Sequence, residues 1–591
     1  MDTPTVALVG AGPAAEAVRA ALADASARAT GTDVDGVASA DFAVVVGEVG
    51  RREFERANRI ARESGTPWLA VELGGVGGRH RVTADAAVSG FAPETACYEC
   101  LRTRVAANAT DDETDEADPE YDPATARFAG AIAGREAARL LSGGESTILG
   151  GVVEVPHAER RLLPAPNCEC DESASAPDAD STGVAGHDRW RALQYDETTL
   201  DDAFSRAELT VDDRVGVVRS VGEAESFPVP YYLAEIGDTT GFSDAQAAEQ
   251  AAGVAADWNE ALMKALGEAL ERYAAGVYRE SAFEVARAGD LDSAVAPSAF
   301  VRPDDYPDFD PGEALPWVRG RDLHTGSSVH LPAEFVHFPP PAARHKPSIT
   351  TGLGLGNSPA QAVLSGLYEV IERDATMVAW YSTFEPLELT VADERFETLA
   401  RRARAEDLSV TPLLVTGDVD VPVVAVAVHR EDEWPRFAVG SDADLDPDAA
   451  AASALAEALQ NWTELRSMGR EDAADADGAI GRYADFPDPA REFVDAETAI
   501  PSASVGPSEP PEGTAELDAV LDRLADADLT AFAARLTTRD LASLGFEAVR
   551  VLVPDAQPLF TGDSFFGERA RTVPAELGFE FRPDREPHPY P

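Results

Sequence analysis

The sequence predicts an α/β N-terminal lobe followed by a larger α+β lobe, and three observations carry that reading. Residues 1–170 alternate short apolar runs with helical ones, the cadence of a sheet built from strand–helix units. Residues 171–188 are polar and rich in Asp, Ser, Ala and Pro, the composition of a linker. From 189 to 591 strand-like runs mix with three glutamate-bearing helical segments and the regular cadence is lost.

In the first lobe Thr5–Val9, Phe42–Val46 and Trp68–Val71 read as strands, and Ala14–Leu22 and Arg51–Ser64 as helices. Gly10, Gly12 and Ala15 form a dinucleotide-type turn between the first strand and helix. A lone Gly-x-Gly-x-x-Ala is a weak signal, and no second strand with an acidic end is evident after it. All four cysteines of the chain fall in this lobe as two close pairs, Cys97 with Cys100 and Cys168 with Cys170. In a cytosolic chain such spacing points to metal before disulfide, and four thiolates make a closed, structural zinc site with no position left for water.

In the second lobe Val421–Val428 and Val549–Val553 read as strands. Two acidic stretches, Thr110–Asp122 and Glu471–Gly513, have loop composition and are expected to be mobile surface insertions.

The 591 residues carry a formal charge of -57, with 106 acidic against 49 basic side chains, yet 44% are hydrophobic, which excludes an acidic disordered chain. Lys264 and Lys346 are the only lysines, and acidic residues occur in every segment, a pattern that reads as a cytoplasm of very high salt. In molar salt the Debye length is roughly 3 Å, so this charge serves hydration and solubility and does not exclude RNA as a partner. The first residues lack a positive n-region and no apolar run approaches the ~18 residues of a membrane span, so the expected location is the cytoplasm, with no membrane partner.

The chemistry is most legible in the glutamate helices. Residues at i, i+3 and i+4 share a helix face, so Lys264, Glu268, Glu271 and Arg272 lie on one arc, opposite Leu262, Leu266, Ala269, Leu270 and Tyr273. The pattern recurs 101 residues later as Ser365, Glu369, Glu372 and Arg373, which predicts two helices facing a shared cleft. Before the second helix Gly352, Gly354 and Gly356 form a glycine-rich loop, Ser358 can cap, Pro359 fits the first helical position and Gln361 completes a capping box. Such a loop feeding a helix N-terminus favours phosphate. Magnesium takes one or two carboxylates with phosphate oxygens and water, so several glutamates could hold two ions against a polyphosphate. The chain has no Gly-x4-Gly-Lys-Ser/Thr loop and no His-Arg-Asp loop, so ATP would bind outside the common schemes.

These residues resemble the YcaO superfamily, marked by an Ala-x-x-Glu-Ala-x-Glu-Arg helix, a Gly-rich loop leading to Glu-x-x-Glu-Arg-Asp, and a later Glu-x-x-Gln. Glu268 to Arg272, Thr351 to Gly356, Glu369 to Asp374 and Glu457 to Gln460 match in type, order and spacing. The resemblance implies ATP-dependent phosphorylation of an amide oxygen followed by attack of a thiol, hydroxyl or sulfide. It implies that Glu268, Glu271, Glu369, Glu372 and Glu457 serve Mg2+, with Gln460, Arg272 and Arg373 near the phosphates. Departures are Lys264 where Ser is usual, Ser453 where Arg is usual, and Ala251 to Gly253 where many members have Gly-Lys-Gly. Lys264 is expected to replace a lost cation. Pro587, Pro589 and Pro591 form a stiff Pro-x-Pro-x-Pro end like that of azoline-forming members, which implies that the Pro591 carboxylate enters the site as a general base.

Residues 1–170 resemble ThiF/MoeB-type activating enzymes without their adenylating pattern, a degenerate lobe that would position substrate. The fusion of a ThiF-like lobe with a cysteine tetrad to a YcaO lobe resembles heterocyclisation enzymes of ribosomal peptide and bacteriocin modification. The expected function is an ATP-, Mg2+- and zinc-containing cyclodehydratase acting on Cys, Ser or Thr of a peptide, as a homodimer. Two rivals stand beside it: sulfur insertion into an amide or RNA base with a sulfur-transfer partner, and a non-catalytic docking scaffold.

Overall fold

The computed structural model describes residues 4–25, 27–80, 84–109, 121–156, 158–170, 189–475 and 478–591. The expected linker at 171–188 lies outside the described residues, as does the acidic stretch Thr110–Asp122 except for Tyr121 and Asp122. The chain divides into two units. The first takes Met1–Gly183, Glu208–Ser220 and Ile236–Glu249; the second takes Val184–Ala207, Val221–Glu235 and Gln250–Pro591. The chain therefore re-enters the first unit twice after 188.

The first unit is built on a seven-stranded sheet. Its strands are β1 (Thr5–Val9), β2 (Arg28–Thr32), β3 (Phe42–Glu48), β4 (Trp68–Leu73), β5 (Ala86–Phe91), β6 (Gly151–Val155) and β7 (Ala158–Arg161). They run in the order β2-β1-β3-β4-β5-β6-β7, parallel through β4 and antiparallel beyond it. Its helices are α1 (Pro13–Asp24), α2 (Arg52–Ser64), α3 (Tyr98–Ala107) and α4 (Pro123–Leu141). Alternate strand residues feed opposite faces: Ala7, Val9, Ala43 and Val45 join Phe54 of α2 and Leu101 of α3 in one core, whereas Val6, Leu8, Phe42 and Val44 join Val18 of α1 and Ala129 of α4 in the other. Strands buried on both faces need continuous apolar runs, which is why β1, β3 and β4 were legible. Helices α1 and α4 meet backbone to backbone, since a Cβ at Gly130 would lie 2.2 Å from the Ala14 carbonyl oxygen.

One expectation fails here. A second strand does follow the Gly10–Gly12 turn: β2 pairs in parallel with β1, and Asp33 comes directly after it. β2 is an edge strand with no fully buried residue, so it carries no hydrophobic signature and exists only through pairing.

The second unit is organised around three helices, α5 (Trp258–Gly276), α6 (Pro359–Trp380) and α7 (Pro447–Ala473). Beside them lie an antiparallel sheet in the order Glu284–Arg287, Ala314–Asp322, Phe532–Arg535, Glu547–Leu552, Leu353–Gly356, and a sheet in the order Phe437–Ala443, Val423–His429, Ser409–Leu414, Leu387–Thr390, Ala499–Pro501. Val423, Ala425 and Ala427 pack with α6 residues such as Leu367, and Val424, Val426 and Val428 with α7 residues such as Leu455 and Trp462. That five-stranded sheet is thus sandwiched between the two helices.

Glu471–Gly513 is not a surface insertion. It contains helices Ile480–Tyr483 and Asp488–Val494 and strand Ala499–Pro501. Tyr483, Phe486 and Phe493 are buried, and Tyr483 and Phe493 stand edge-on to Trp380 at 5.8 and 5.5 Å. The acidic composition of the segment masks a few aromatics that decide its fate. Among the described residues no helix is long and apolar enough to cross a membrane.

Candidate active site

Helix α5 is capped by Asp257, whose carboxylate accepts from the amides of Asn259 and Glu260. Ala265, Leu266, Ala269, Leu270 and Tyr273 are buried, and Leu262 is only half-buried. On the other face Arg272 donates Nε and Nη2 to Glu268 Oε1 at 2.8 and 2.5 Å. Loss of water, and then the charge of Glu268, hold the Glu271 carboxyl well above the usual carboxylate range; Arg272 opposes this and Glu369 adds to it.

Helix α6 begins as predicted at Ser358, whose Oγ accepts from the Gln361 amide. Gln361 Oε1 takes the amide of Asn357, at 3.0 Å, rather than that of Ser358, so the box closes one residue early. The glycine-rich segment before it is a strand rather than a loop up to Gly356, and Gly356 and Asn357 line the acidic cleft. Leu353–Gly356 is a strand paired with Glu547–Leu552, and a Cβ at Gly354 or Gly356 would lie 2.2 Å from the Ala362 oxygen or 2.4 Å from its nitrogen. These glycines let strand and helix touch. Gly352 donates its amide to Glu369 Oε2 at 2.9 Å.

One turn further along α6, Glu372 Oε1 accepts the Ser441 hydroxyl at 2.6 Å, while the Ser441 amide donates to Glu457 Oε2 of α7 at 2.7 Å. Ser441 thus ties two carboxylates from different helices to one strand end. Arg373 Nη1 stands 3.5 Å from Glu372 Oε1. Burial opposes the charge of Arg373, but Glu372, Glu457 and Glu369 together outweigh it and raise its pKa. Burial raises Glu372, opposed by Arg373 and reinforced by Glu457 and Asp442. It likewise pushes Asp442 up to about 6, with Lys264 opposing. Lys264 Nζ lies 3.4 Å from Ser453 Oγ, so the two departures noted from the sequence face each other.

Lys264, Glu268, Glu271, Glu457 and Gln460 line one cleft of about 710 Å³. Arg272, Glu369, Glu372 and Arg373 stand behind this lining: Arg272 pairs with Glu268, Glu372 is joined to it by Ser441, Arg373 lies beside Glu372, and Glu369 acts electrostatically on Glu271 and Arg373. Gln460 Nε2 donates to Glu464 Oε1. Sequence reading missed Ser441, Asp442 and Asp444, which also line the cleft. Their only signal was a Ser-Asp-Ala-Asp run at the end of an apolar strand. Asp444 is pushed up to about 7, first by desolvation, with Asp442 and Glu516 adding. A carboxyl whose folded pKa lies above its unfolded value of 3.8 stabilises below that value, and the contribution is lost as pH rises toward 7. The stability gained by Asp444→Asn in metal-free protein is therefore expected to be small near pH 4 and to reach its full size above pH 8, as read by thermal unfolding.

The C-terminal segment runs inward. Trp380 Nε1 donates to the Glu586 oxygen at 2.8 Å and Tyr483 OH to the Pro587 oxygen at 2.6 Å. Tyr590 is 1% exposed, feels the charges of Glu372, Arg373 and Glu457, and its hydroxyl has no hydrogen-bond partner among the described residues. Pro591 is half-buried. In the first unit the sulfurs of Cys97, Cys100, Cys168 and Cys170 lie within 4.8 Å of one another.

The fold resembles that of heterocyclases. A structure of a heterocyclase in complex with substrate and cofactor matches with TM-score 0.73 and 19% identity over 98% of this chain and 83% of that one. The heterocyclase TruD matches with TM-score 0.67 and 18% identity over 98% and 82%. Residues 252–557, more than half of the chain, match the YcaO family, described as a cyclodehydratase binding ATP and Mg2+, and the chain belongs to that family. An uncharacterized protein of Methanothermobacter thermautotrophicus is 30% identical over 38% of this chain. One from the tfuA 3' region of Rhizobium leguminosarum bv. trifolii is 28% identical over 28%. The chain spans 60% and 43% of the length of these two relatives.

Proposed function

We propose that the second unit is an ATP- and Mg2+-dependent cyclodehydratase that forms azolines from Cys, Ser or Thr of a peptide. The observation that carries this reading is the Ser441 clasp, which gathers Glu372 and Glu457 beside Arg373 under the cleft. Desolvated carboxylates of one sign have no reason to meet unless cations join them. Glu268, Glu271, Glu369, Glu372 and Glu457 are the candidates to hold Mg2+, and Arg272, Arg373, Gln460 and Lys264 those to face phosphates. When bound, ATP with Mg2+ supplies the phosphoryl group that makes an amide oxygen a leaving group. The substrate thiol or hydroxyl gives up its proton and adds to the carbonyl carbon. That oxygen departs as phosphate, the amide nitrogen loses its hydrogen, and the peptide is lighter by one water. The inward tail would bring the Pro591 carboxylate near enough to take the proton.

Direct titration with ATP and Mg2+ tests the site, and a chain that binds none would be a docking scaffold. Product mass tests the reaction: a loss of one water supports ring formation, and a gain from exchange of oxygen for sulfur replaces it with the sulfur-insertion reading.

For the first unit we propose structural zinc on Cys97, Cys100, Cys168 and Cys170, since four thiols so close offer a complete tetrahedral donor set. About one zinc per chain is expected by elemental analysis. Cys100→Ser is expected to lose it and to lower the unfolding temperature of that unit; an unchanged metal content would remove the assignment.

A further inference from the structure

A second cavity, of about 40 Å³, shares Arg373 with the acidic cluster. It has room for roughly three waters, enough for a small polyatomic anion but not for a nucleotide. Its wall is largely apolar, with Val370, Val551 and Val553, and it carries three cations, Lys346, Arg373 and Arg550, with no carboxylate among its described residues.

Of these cations Lys346 and Arg550 are only partly neutralised. Arg550 is 3% exposed. It donates Nη1 to the Thr350 oxygen at 2.7 Å and Nη2 to the Ile349 oxygen at 2.8 Å, and its Nε has no partner among the described residues. Lys346 Nζ sits 4.9 and 5.8 Å from the ring centres of Phe335 and Phe300. Glu334, whose charge opposes that of Lys346, is already engaged by the ring of His345 and the amides of Arg344 and His345. Arg373 stands 3.5 Å from Glu372 and also feels Glu457 and Glu369, while its Nη1 makes no hydrogen bond among the described residues. Glu369, which holds the Gly352 amide, and Glu271 offset part of the Arg550 charge. Burial, and then Arg550, push Lys346 down to about 7, and burial, outweighing Glu369 and Glu271, pushes Arg550 down to about 10.

We infer that this cavity is a binding site for a small tetrahedral oxyanion, inorganic phosphate, held by Arg550, Lys346 and Arg373. Guanidinium groups in an apolar, low-dielectric wall are strong phosphate donors. The site stands on its own geometry; that its occupant in turnover is the phosphate leaving the amide rests on the reading above.

The test is equilibrium dialysis of radiolabelled orthophosphate against the full-length chain without nucleotide. Saturable binding is expected, weakened on the order of tenfold by Lys346→Met and by Arg550→Lys, and unchanged by Lys264→Met. Absence of saturable binding, or binding that survives both of the first two substitutions, overturns the proposal. So does loss on Lys264→Met alone, which would place the anion in the cleft. Thermal unfolding checks each variant, and Lys346→Met, at a half-buried position, answers alone should Arg550→Lys not fold. Phosphate binding in a chain that never hydrolyses ATP would uphold this pocket and remove the catalytic reading; ATP turnover with no phosphate site would do the reverse.

Discussion

Glu372→Gln is expected to abolish substrate-dependent release of ADP and phosphate, by on the order of a thousandfold, while leaving the folded protein no less stable. The amide oxygen of the new side chain can still accept the Ser441 hydroxyl, so the clasp that now measures 2.6 Å survives. What disappears is the charge. Glu372 sits beside Glu457 and Asp442, where burial already pushes its carboxyl up, so a neutral isostere relieves the metal-free protein. Glu372→Ala is expected to be equally inactive but less stable, because the Ser441 hydroxyl and the Arg373 guanidinium lose their partner together. Steady-state ADP release and differential scanning calorimetry on the three proteins check this. Turnover at the wild-type rate in either variant would remove Glu372 from the metal site.

Deleting Pro587–Pro591 is expected to spare ATP and Mg2+ binding, within about threefold, and to suppress ring formation by on the order of a hundredfold. The structure adds a second consequence. Tyr590 and His588 are buried, with Tyr590 6.4 Å from Phe493 and His588 5.6 Å from Phe560 between ring centres. Losing an aromatic of this kind from a core costs about 3–5 kcal/mol, so the truncated chain is also expected to unfold at lower temperature. Tyr590→Phe separates the two effects. It keeps the ring and removes an oxygen that has no hydrogen-bond partner among the described residues, so stability should hold. Mass spectrometry of the peptide product and nucleotide titration read the two arms. Ring formation by the truncated chain at the full-length rate would leave the tail a packing element only.

The reach of sequence reasoning varied with the kind of signal. Periodicity at 3.6 residues placed Glu268, Glu271 and Arg272 on the polar face of α5 before any coordinate did, because a helix face is a local property. The cysteine pairs were equally local, and their sulfurs do converge. β2 was invisible because an edge strand borrows its stability from its neighbour. The wall made by Tyr483 and Phe493 was hidden by the acidic residues around it, since average composition says nothing about which few side chains point inward. The glycines at 354 and 356 suggest phosphate chemistry in the sequence, and the structure adds the close contact of their backbone with Ala362. A Gly-x-Gly pattern permits close approach without saying what approaches.

By itself the sequence determined the two-lobed α/β and α+β plan, the three acidic helices and their family, because each rests on spacing along a single segment. Tertiary structure alone decided what those helices share. Ser441 joins Glu372 to Glu457 across 69 and 16 residues of chain, Lys264 meets Ser453 across 189, and Arg550 reaches the Ile349 carbonyl across 201. Such encounters are set by how sheets and helices stack, and apart from Ser441 with Glu457 no local window along the chain contains both partners. The protein's charges were legible in one dimension; which charges desolvate one another was decided in three.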